Sequence, residues 1–388
     1  MDPYKLAGVD IDAGDHFSSA AAKVCLASRE NSPFVTVHDQ SNGNFRGLRG
    51  YSIKGLRAGW IQTICPDGIG TKVGVITAGT SQITAGYDLV AMTADDAAVK
   101  GACPIVMSNV LDVATLGDID TEIGRETNQL LLNAMVGLGA AAKEAQIVLL
   151  NGETAELGVF VGSEDPNAKT KFNWAGFVHA IYYTANAITG NTIKEGMSIM
   201  ALREYGPRSN WLSAIRQGLQ IEFGNEWYDN PKAKDDIRAA SLPSQIYTPL
   251  LTKLHGWGDD MSPLITIHGA AHITGGGFEG KLGKDLLFPR GLSAELQNLW
   301  EIPKILLETV ARIGSTAERF YAGSSAGNGC LVIIDNDNET EFIDAAKTMG
   351  FEARWCGRVT KMETPQLHIW SGLPGSNDVF YDVSYTAK

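Results

Sequence analysis

Apolar stretches of strand length alternate with longer amphipathic stretches along the first half of this chain. Strands are predicted at Trp60 to Cys65, Ile105 to Val113, Ile147 to Leu150 and Ala175 to Tyr183, and helices at Gly86 to Ala102 and Glu122 to Ala145. Because strands and helices alternate, the pattern indicates an α/β or α+β fold.

The same alternation restarts after Asn191. Further strands are predicted at Ser198 to Leu202, Leu264 to Ile267 and Cys330 to Ile334, and further helices at Asn210 to Leu219, Ser244 to Leu254 and Pro303 to Ile313. The stretch Gly158 to Lys171 has little apolar periodicity, so an N-terminal domain over residues 1–170 and a C-terminal domain over residues 171–388 are expected. The polar stretch Asn225 to Asp236 predicts an excursion on the surface.

Length and charge narrow the classes of function. A chain of 388 residues fits two or three domains. Lys plus Arg number 32 against 44 for Asp plus Glu, so the net charge is -12 and no basic field is present to hold a nucleic acid. The uncharged run Leu130 to Ala142 is too short for a membrane helix, and Met1 to Lys5 lacks an apolar signal segment. A soluble, cytoplasmic protein is expected.

The spacing of the cysteines gives no sign of disulfide cross-links or of a metal site with thiolate ligands. The five cysteines are scattered without a CxxC pair, which argues against a disulfide framework and against a thiolate metal site. The 43 glycines, by contrast, often occur in clusters. Clustered glycine usually brings backbone close to a ligand or forces a positive φ.

One such cluster directly follows an apolar strand. It consists of Asp67, Gly68, Gly70, Thr71 and Lys72. The glycines allow the backbone to bend around a ligand, the carboxylate can hold a divalent cation, and the ammonium can neutralise phosphate oxygens. An ordinary Asp-Gly turn remains the alternative, since such turns are frequent.

Carboxylates also interrupt neighbouring apolar elements. Asp88, Asp95 and Asp96 share an apolar helix, Asp112 interrupts a strand, and Glu153 follows the end of another. Asp88 fits a solvated acidic face, but one of Asp95 and Asp96 must point toward the apolar side. Oxygen ligands without histidine or cysteine suit Mg²⁺, which usually keeps positions for phosphate oxygens. A nucleoside triphosphate is therefore implied, without a Walker sequence.

The C-terminal half has a glycine-rich turn of its own. His272 and Thr274 precede Gly275, Gly276 and Gly277, an arrangement that could cradle a phosphate. A flexible turn beside a core histidine is the alternative.

A second candidate anion site precedes a predicted helix. Arg208 lies near the positive end of that helix, and Ser209 or Asn210 can cap it. A cap alone would explain Ser209 and Asn210 without any ligand.

Taken in order, these motifs resemble the aminoimidazole ribonucleotide synthetase family, the phosphoribosylformylglycinamidine cyclo-ligases of purine synthesis. The matching segments are Tyr4 to Gly14, Asp67 to Lys72, Asp95-Asp96 with Gly101, Gly152 to Glu156, Ala175 to Phe177, Gly206-Pro207 with Ser209-Asn210, Ile246-Tyr247, Ala271 to Phe278, and Trp300 with Pro303. They keep their order across nearly the whole chain.

The resemblance implies a two-domain fold, with N-terminal sheets that form a barrel across a homodimer and with ATP in the cleft between the halves. It implies that ATP activates a formyl-amide oxygen of a small ribonucleotide substrate, after which an amidine nitrogen closes the imidazole ring. Asp67, Asp96 and Glu153 would then be the Mg²⁺ and polyphosphate carboxylates, with Lys72 as phosphate neutraliser. The segment from His272 to Gly277 would face the substrate, and His272 is our choice, on residue type, for the proton-transfer group.

Departures from the family pattern cluster on the substrate side. Arg208 stands where the family commonly has His, and Trp211 where it has Gly; Ala322 to Ser325 replaces an Arg-Thr-Phe-Asn segment, and Arg46 to Gly50 replaces a glycine-rich loop. Two alternatives therefore stay open. One is a relative that phosphorylates another small acceptor, as selenophosphate synthetases, thiamine-monophosphate kinases and hydrogenase maturation factors do; the other is a non-catalytic ATP-binding relative.

Overall fold

The computed structural model describes residues 11–39, 49–55, 59–79, 81–257, 262–370, 372–373 and 382–387. Most of the first resembling segment, residues 4–10, and most of the substituted loop, residues 46–48, lie outside the described residues. The chain divides into two compact units. The first contains the residues up to Ala97, together with Cys103–Thr184 and Tyr228–Ile246, and the second contains Ala98–Ala102, Ala185–Trp227 and the residues from Tyr247 onward.

Helices and strands alternate along most of the described chain. The α-helices are α1 (Ile11–Ala27), α2 (Val73–Ala78), α3 (Ile83–Ala98), α4 (Glu122–Glu144), α5 (Leu212–Phe223), α6 (Lys234–Ala240), α7 (Thr248–Leu254), α8 (Lys304–Ile313), α9 (Ala317–Tyr321) and α10 (Glu339–Thr348). The strands are β1 (Val35–Asp39), β2 (Arg49–Ile53), β3 (Trp60–Gly68), β4 (Cys103–Val113), β5 (Val148–Glu156), β6 (Phe172–Tyr183), β7 (Ser198–Arg203), β8 (Ile267–His272), β9 (Ser293–Leu296), β10 (Asn328–Ile334), β11 (Ala353–Thr360), β12 (Gln366–Trp370) and β13 (Asp382–Thr386). A π-helical segment spans Glu279–Leu287. The mixed α/β class expected from the sequence is confirmed.

The first unit is built on a four-stranded sheet in the order β3-β6-β4-β5, beside the antiparallel pair β1-β2. β4 and β5 run parallel because α4 returns the chain between them. The hydroxyl of Thr121 caps α4 by accepting from the N–H of Gly124 at 3.0 Å. Gly86 on α3 and Gly137 on α4 let the two helices touch: a Cβ on Gly86 would lie 2.0 Å from the Leu138 nitrogen.

The second unit is built on a seven-stranded sheet in the order β13-β12-β9-β11-β7-β10-β8. Its strands pair antiparallel except for β12 with β9. Every residue of β10 is buried, since the strand lies in the interior of the sheet. Leu250 and Leu251 of α7 and Phe342 of α10 pack in the same core cluster as Val332 of β10.

Several predicted elements have different bounds in the structure. The first long helix begins at Ile83 and ends at Ala98 rather than spanning Gly86 to Ala102, because Gly101 adopts φ +81° in the turn that follows. The strand expected at Leu264 to Ile267 instead begins at Ile267 and ends at His272. β5 extends to Glu156, so Glu153 lies within a strand and not beyond its end.

The stretch Asn225 to Asp236 is not simply a surface excursion. It forms two 3₁₀ turns, Trp227–Asp229 and Pro231–Ala233, in which Trp227 is 3% exposed and Ala233 is fully buried. It leads into α6, which belongs to the first unit. The apolar anchors of this segment are single residues in a polar context, which is why periodicity did not reveal them.

The expected division of the chain at residues 170 and 171 is a sequence prediction. β6 begins at Phe172, directly after that point, and lies in the four-stranded sheet of the first unit.

Within the described residues, no helix is both long enough and apolar enough to span a bilayer.

Candidate active site

The Asp67 to Lys72 segment begins with the last two residues of β3 and then bends before α2. Gly70 has φ +58°, a left-handed conformation that favours glycine, and residues Gly70–Lys72 make one 3₁₀ turn. A Cβ on Gly68 would lie 2.9 Å from the carbonyl oxygen of Trp174, so the loop rests directly on β6. Asp67 and Thr71 are exposed, and the Asp67 carboxylate accepts from the N–H of Gly68 at 2.7 Å. The glycine-rich bend predicted from the sequence is present.

Lys72 lies under this loop and not on its surface. Its side chain is fully buried, and Nζ lies 2.7 Å from Oδ1 of Asp88, which is also fully buried. Nζ also donates to the carbonyl oxygen of Leu242 at 2.5 Å. Ser244 donates to the same Asp88 oxygen through its N–H, at 3.0 Å, and through its hydroxyl, at 2.6 Å. Asp88 is therefore a buried counter-ion of Lys72, and the expectation of a solvated acidic face was wrong.

The two residues at Asp95 and Asp96 divide as the helical geometry requires. Asp95 is fully buried and Asp96 is partly exposed, so Asp95 is the one that points toward the apolar side. Burial raises the pKa of Glu144, on α4, and the charge of Asp95 raises it further.

Strand register places Asp67 and Glu153 apart. Across the sheet, Asp67 pairs with Gly176, which pairs with Asn109, which pairs with Gly152. Glu153 is one residue beyond that row and so projects from the opposite face. β3 and β5 are separated by three inter-strand spacings, about 14 Å.

The carboxylates Asp67, Asp96 and Glu153 thus do not form one metal cage in this chain. Among the described residues, no group of three or more His, Cys, Asp or Glu side chains lies close enough to hold a metal ion. For Asp67 and Glu153 the reason is the pleat, because adjacent strand residues face opposite ways. The assignment of the three carboxylates to Mg²⁺ and polyphosphate stays a prediction from the resemblance.

In the second unit the predicted substrate-side residues do converge. The guanidinium of Arg208 is fully buried; its Nη1 donates to Oε2 of Glu204 at 2.7 Å, and its Nη2 lies 2.6 Å from Nε2 of His272. The Tyr247 ring lies 5.1 Å from the guanidinium carbon, within cation–π distance. Asn210 donates through Nδ2 to the carbonyl oxygen of Ile273 at 3.0 Å.

The glycine-rich turn packs on the segment that departs from the family pattern. A Cβ on Gly277 would lie 2.1 Å from the carbonyl oxygen of Tyr321, so only glycine allows this approach. The Trp211 ring packs edge-to-face on Phe320, with centroids 5.1 Å apart, and a Cβ on Gly323 would lie 2.8 Å from its Cδ1. The Arg208 to Trp211 loop, the His272 to Gly277 turn and the Ala322 to Ser325 segment therefore form one cluster, which we call the substrate-side cluster.

The remaining residues of the turn leave its backbone accessible. Gly275 and Gly276 are exposed, while Thr274 and Ser209 are partly buried. Gly276 and Gly277 have φ of +94° and +54°, and the N–H of Gly277 donates to the carbonyl of Thr274 at 2.9 Å. A tight turn with open backbone can receive an anion or a hydroxyl-bearing ligand.

Sequence reasoning missed two residues that anchor these arrangements. Glu204 neutralises Arg208, and Ser244 holds the carboxylate of Asp88. Glu204 directly follows an apolar strand, the same signal that drew attention to Asp67. Nothing local marks Ser244, since its partner lies 156 residues away.

Comparisons with known proteins agree with these motifs. Residues 56–176 match the family model described as AIR synthase related protein, N-terminal domain. Phosphoribosylformylglycinamidine cyclo-ligase of Desulfotalea psychrophila is 28% identical over 92% of this chain and 93% of its own. The cyclo-ligase of Prochlorococcus marinus (strain MIT 9211) is 28% identical over 96% of this chain and 99% of its own. That of Carboxydothermus hydrogenoformans is 29% identical over 93% and 96%.

Solved structures share the fold at much lower identity. Thiamine-monophosphate kinase from Stenotrophomonas maltophilia K279a superposes with a TM-score of 0.58 at 13% identity, covering 90% of this chain and 95% of that one. E. coli HypE, a hydrogenase maturation protein, gives 0.54 at 13% identity, covering 94% and 96%. The chain is thus similar to the AIR synthase related family over residues 56–176, and to cyclo-ligases over nearly its whole length.

Proposed function

We propose that this chain catalyses the ATP-dependent ring closure of formylglycinamidine ribonucleotide to aminoimidazole ribonucleotide, releasing ADP and phosphate. The observation that carries the proposal is its length-wide similarity to cyclo-ligases, at 28% to 29% identity over more than nine tenths of the chain. The convergence of Arg208, Asn210, His272 and the Gly275 to Gly277 turn into one cluster supports it, since a small substrate needs several polar groups gathered in one place.

In the proposed reaction the γ-phosphoryl group of ATP is transferred to the formyl-amide oxygen. The amidine nitrogen then attacks the same carbon, the carbon–oxygen bond breaks, and phosphate leaves with that oxygen while the nitrogen loses a proton. Phosphoryl transfer chiefly needs positioning and neutralisation of charge. The exposed backbone of Gly275 and Gly276 would position the ribonucleotide in our assignment.

We assign the polyphosphate to the Asp67 to Lys72 loop, with Mg²⁺ as the accompanying cation. Mg²⁺ commonly binds only one or two protein carboxylates and takes its other oxygens from phosphates and water. Separate carboxylates such as Asp67, Asp96 and Glu153 therefore fit Mg²⁺-ATP even though they do not form a cage. The cation would neutralise charge on the transferred phosphoryl group.

Lys72 has a different task in this proposal from the one its residue type indicated. Its ammonium already neutralises the buried carboxylate of Asp88. The groups turned outward from the loop are Asp67 and Thr71 together with the exposed Gly70. We assign contact with phosphate to this outer layer and to its backbone N–H groups, and we assign support of the loop from below to Lys72.

A homodimer built through the first-unit sheet is part of the proposal. The face of that sheet opposite its buried face carries Ile64, which is 54% exposed, and Phe177, which is 39% exposed. Large apolar side chains on one open sheet face mark an interaction surface. A second copy of the chain could cover them, as expected for a barrel formed across two subunits.

A second candidate is phosphoryl transfer to another small acceptor. The observation that favours it is Trp211, whose ring fills space above Gly323 in the substrate-side cluster. A pocket narrowed by an indole can reject one substrate and admit another.

The two candidates separate in one assay with purified protein and Mg²⁺-ATP. Formylglycinamidine ribonucleotide should stimulate ADP release, and the Trp211→Gly Arg208→His double variant tests the substrate-side cluster. If these two residues mark a changed specificity, the double variant should be more active on this ribonucleotide than the wild type. Wild-type ADP release that ignores the ribonucleotide but responds to another acceptor would replace the first candidate by the second.

A further inference from the structure

We propose that Arg208, itself held by Glu204, fixes His272 as a neutral imidazole with its proton on Nδ1. Arg208 is then a positioning residue that acts through His272. The assignment of His272 to the ring-closing reaction rests on the proposed function, but the tautomer itself does not.

The first step is the contact between the two side chains. Nη2 of Arg208 lies 2.6 Å from Nε2 of His272, and the two residues are 0% and 3% exposed. A guanidinium has only donors and stays protonated in proteins. Nε2 must therefore accept, which requires its lone pair and places the ring proton on Nδ1.

The second step is the charge of the surroundings. Glu204 is fully buried and its Oε2 lies 2.7 Å from Nη1 of Arg208, so the two charges compensate each other. The Tyr247 hydroxyl lies 3.4 Å from the same Oε2 and 2.7 Å from the carbonyl oxygen of Arg203, to which it donates. A second proton on His272, at Nε2, would set two donors against each other across this short contact.

The third step is the backbone that holds Arg208 in place. Arg208 has φ +56°, a left-handed conformation that is uncommon for a residue with a side chain. The neighbouring Asn210 is tied by its amide to the carbonyl of Ile273, the residue after His272. The loop and the end of β8 are thus joined at two successive points, and such strain persists only where the surroundings fix it.

The consequence concerns how His272 can serve a reaction. With Nε2 occupied by Arg208, a proton can be exchanged with a ligand only through Nδ1. The general interpretation of His272 as a proton-transfer group thereby narrows to one atom. Arg208→Lys would not substitute fully, since an ammonium lacks the planar fork that reaches Glu204 and His272 together.

The test is nitrogen NMR of the full-length protein labelled with ¹⁵N-histidine, near pH 7. Long-range proton–nitrogen correlations distinguish a protonated ring nitrogen from an unprotonated one, and the His272→Gln variant identifies which signals belong to His272. We expect Nε2 unprotonated and Nδ1 protonated. A protonated Nε2, in either a neutral or a doubly protonated ring, would overturn the proposal, and this result does not depend on whether an Arg208 variant folds.

Variants then ask whether Arg208 is the cause. Arg208→Met should release the preference, giving a mixture of tautomers or the opposite one. Arg354→Met is a matched control, because Arg354 also lies over an aromatic ring, 3.5 Å from Trp300, and pairs with Glu301. Unchanged His272 signals in a folded Arg208→Met protein would also overturn the proposal. These readouts need no substrate. A protein that fails to close the imidazole ring could still show the predicted tautomer, and a protein that closes the ring could lack it.

Discussion

The indole of Trp211 lies against the backbone of Gly323, so close that a Cβ on Gly323 would be 2.8 Å from Trp211 Cδ1. Trp211 has φ +58°, and its ring is held edge-to-face on Phe320. The Trp211 ring therefore has little space into which it could move. Two positions at which this chain departs from the family pattern are thus in direct contact and are best explained together.

Gly323→Ala should destabilise the protein by about 1 to 3 kcal/mol, the usual cost of inserting a methyl group into a packed contact. Trp211→Ala alone should also destabilise it through lost packing. In the double variant the clash is absent, so the two effects should not add. Denaturant unfolding of the four proteins measures this coupling, and simple additivity would show that the two residues do not constrain each other.

Asp88→Asn should destabilise the protein by about 3 to 5 kcal/mol, because it leaves the ammonium of Lys72 buried without its counter-ion. Lys72→Met should also destabilise the protein, because it leaves the carboxylate of Asp88 buried without its counter-ion. Combining the two removes both charges and should recover part of the loss. Thermal unfolding of the wild type, the two single variants and the double variant ranks their stabilities. A Tm near the wild-type value for Asp88→Asn would mean that Lys72 and Asp88 do not form the buried ion pair.

Asp67→Asn, unlike Asp88→Asn, should abolish activity and leave the stability of the fold nearly unchanged. The Asp67 carboxylate is exposed and replacing it by an amide leaves the loop backbone intact, so stability should change by less than about 0.5 kcal/mol. Turnover of Mg²⁺-ATP should be lost, since an amide holds a divalent cation poorly. Asp165→Asn, at a partly buried loop position, is the control and should keep activity. Wild-type turnover in Asp67→Asn would remove Asp67 from the cation site.

His255 should make stability depend on pH between 7.5 and 5.5. Burial lowers the pKa of His255 below its ordinary value of 6.5. As the pH falls through 6.5 the unfolded chain takes up a proton that the folded chain does not, so unfolding becomes more favourable. The drop in Tm over this range should be smaller in His255→Gln than in the wild type. His38→Gln changes an exposed histidine and should keep the wild-type drop; an unchanged drop in His255→Gln would contradict the account.

Phe177→Asp should weaken self-association of the chain. It places a charge on the open face of the first-unit sheet beside the exposed Ile64. Sedimentation at micromolar concentration should give a dimer for the wild type and a smaller species for the variant, while Val159→Asp, at a 94% exposed loop position, should remain dimeric. A monomeric wild type would contradict the homodimer.

Much of the local structure follows from local chemistry. The expected helix from Glu122 ends at Glu144, one residue before the predicted end, because the cap at Thr121 and the apolar face lie within the segment itself. The bend at Gly68 and Gly70 was likewise predictable, since a glycine-rich turn after an apolar strand has few alternatives. Such features depend on residues that are near one another in the chain.

What depends on distant residues could not be predicted. The charge of Lys72 is used by Asp88, and Ser244 completes that site from 156 residues away. Strand register decided that Asp67 and Glu153 face opposite ways, and no pattern within either strand contains that relation. Residue type indicated the chemistry that each side chain is capable of. Tertiary packing determined which neighbouring group that side chain contacts.

The most direct test of the central claim is the yield of aminoimidazole ribonucleotide per ADP when purified protein is given Mg²⁺-ATP and formylglycinamidine ribonucleotide. We expect equal amounts of the two products and little ADP without the ribonucleotide. ADP formed without aminoimidazole ribonucleotide, or no turnover by a folded protein that binds ATP, would contradict the proposed ring closure.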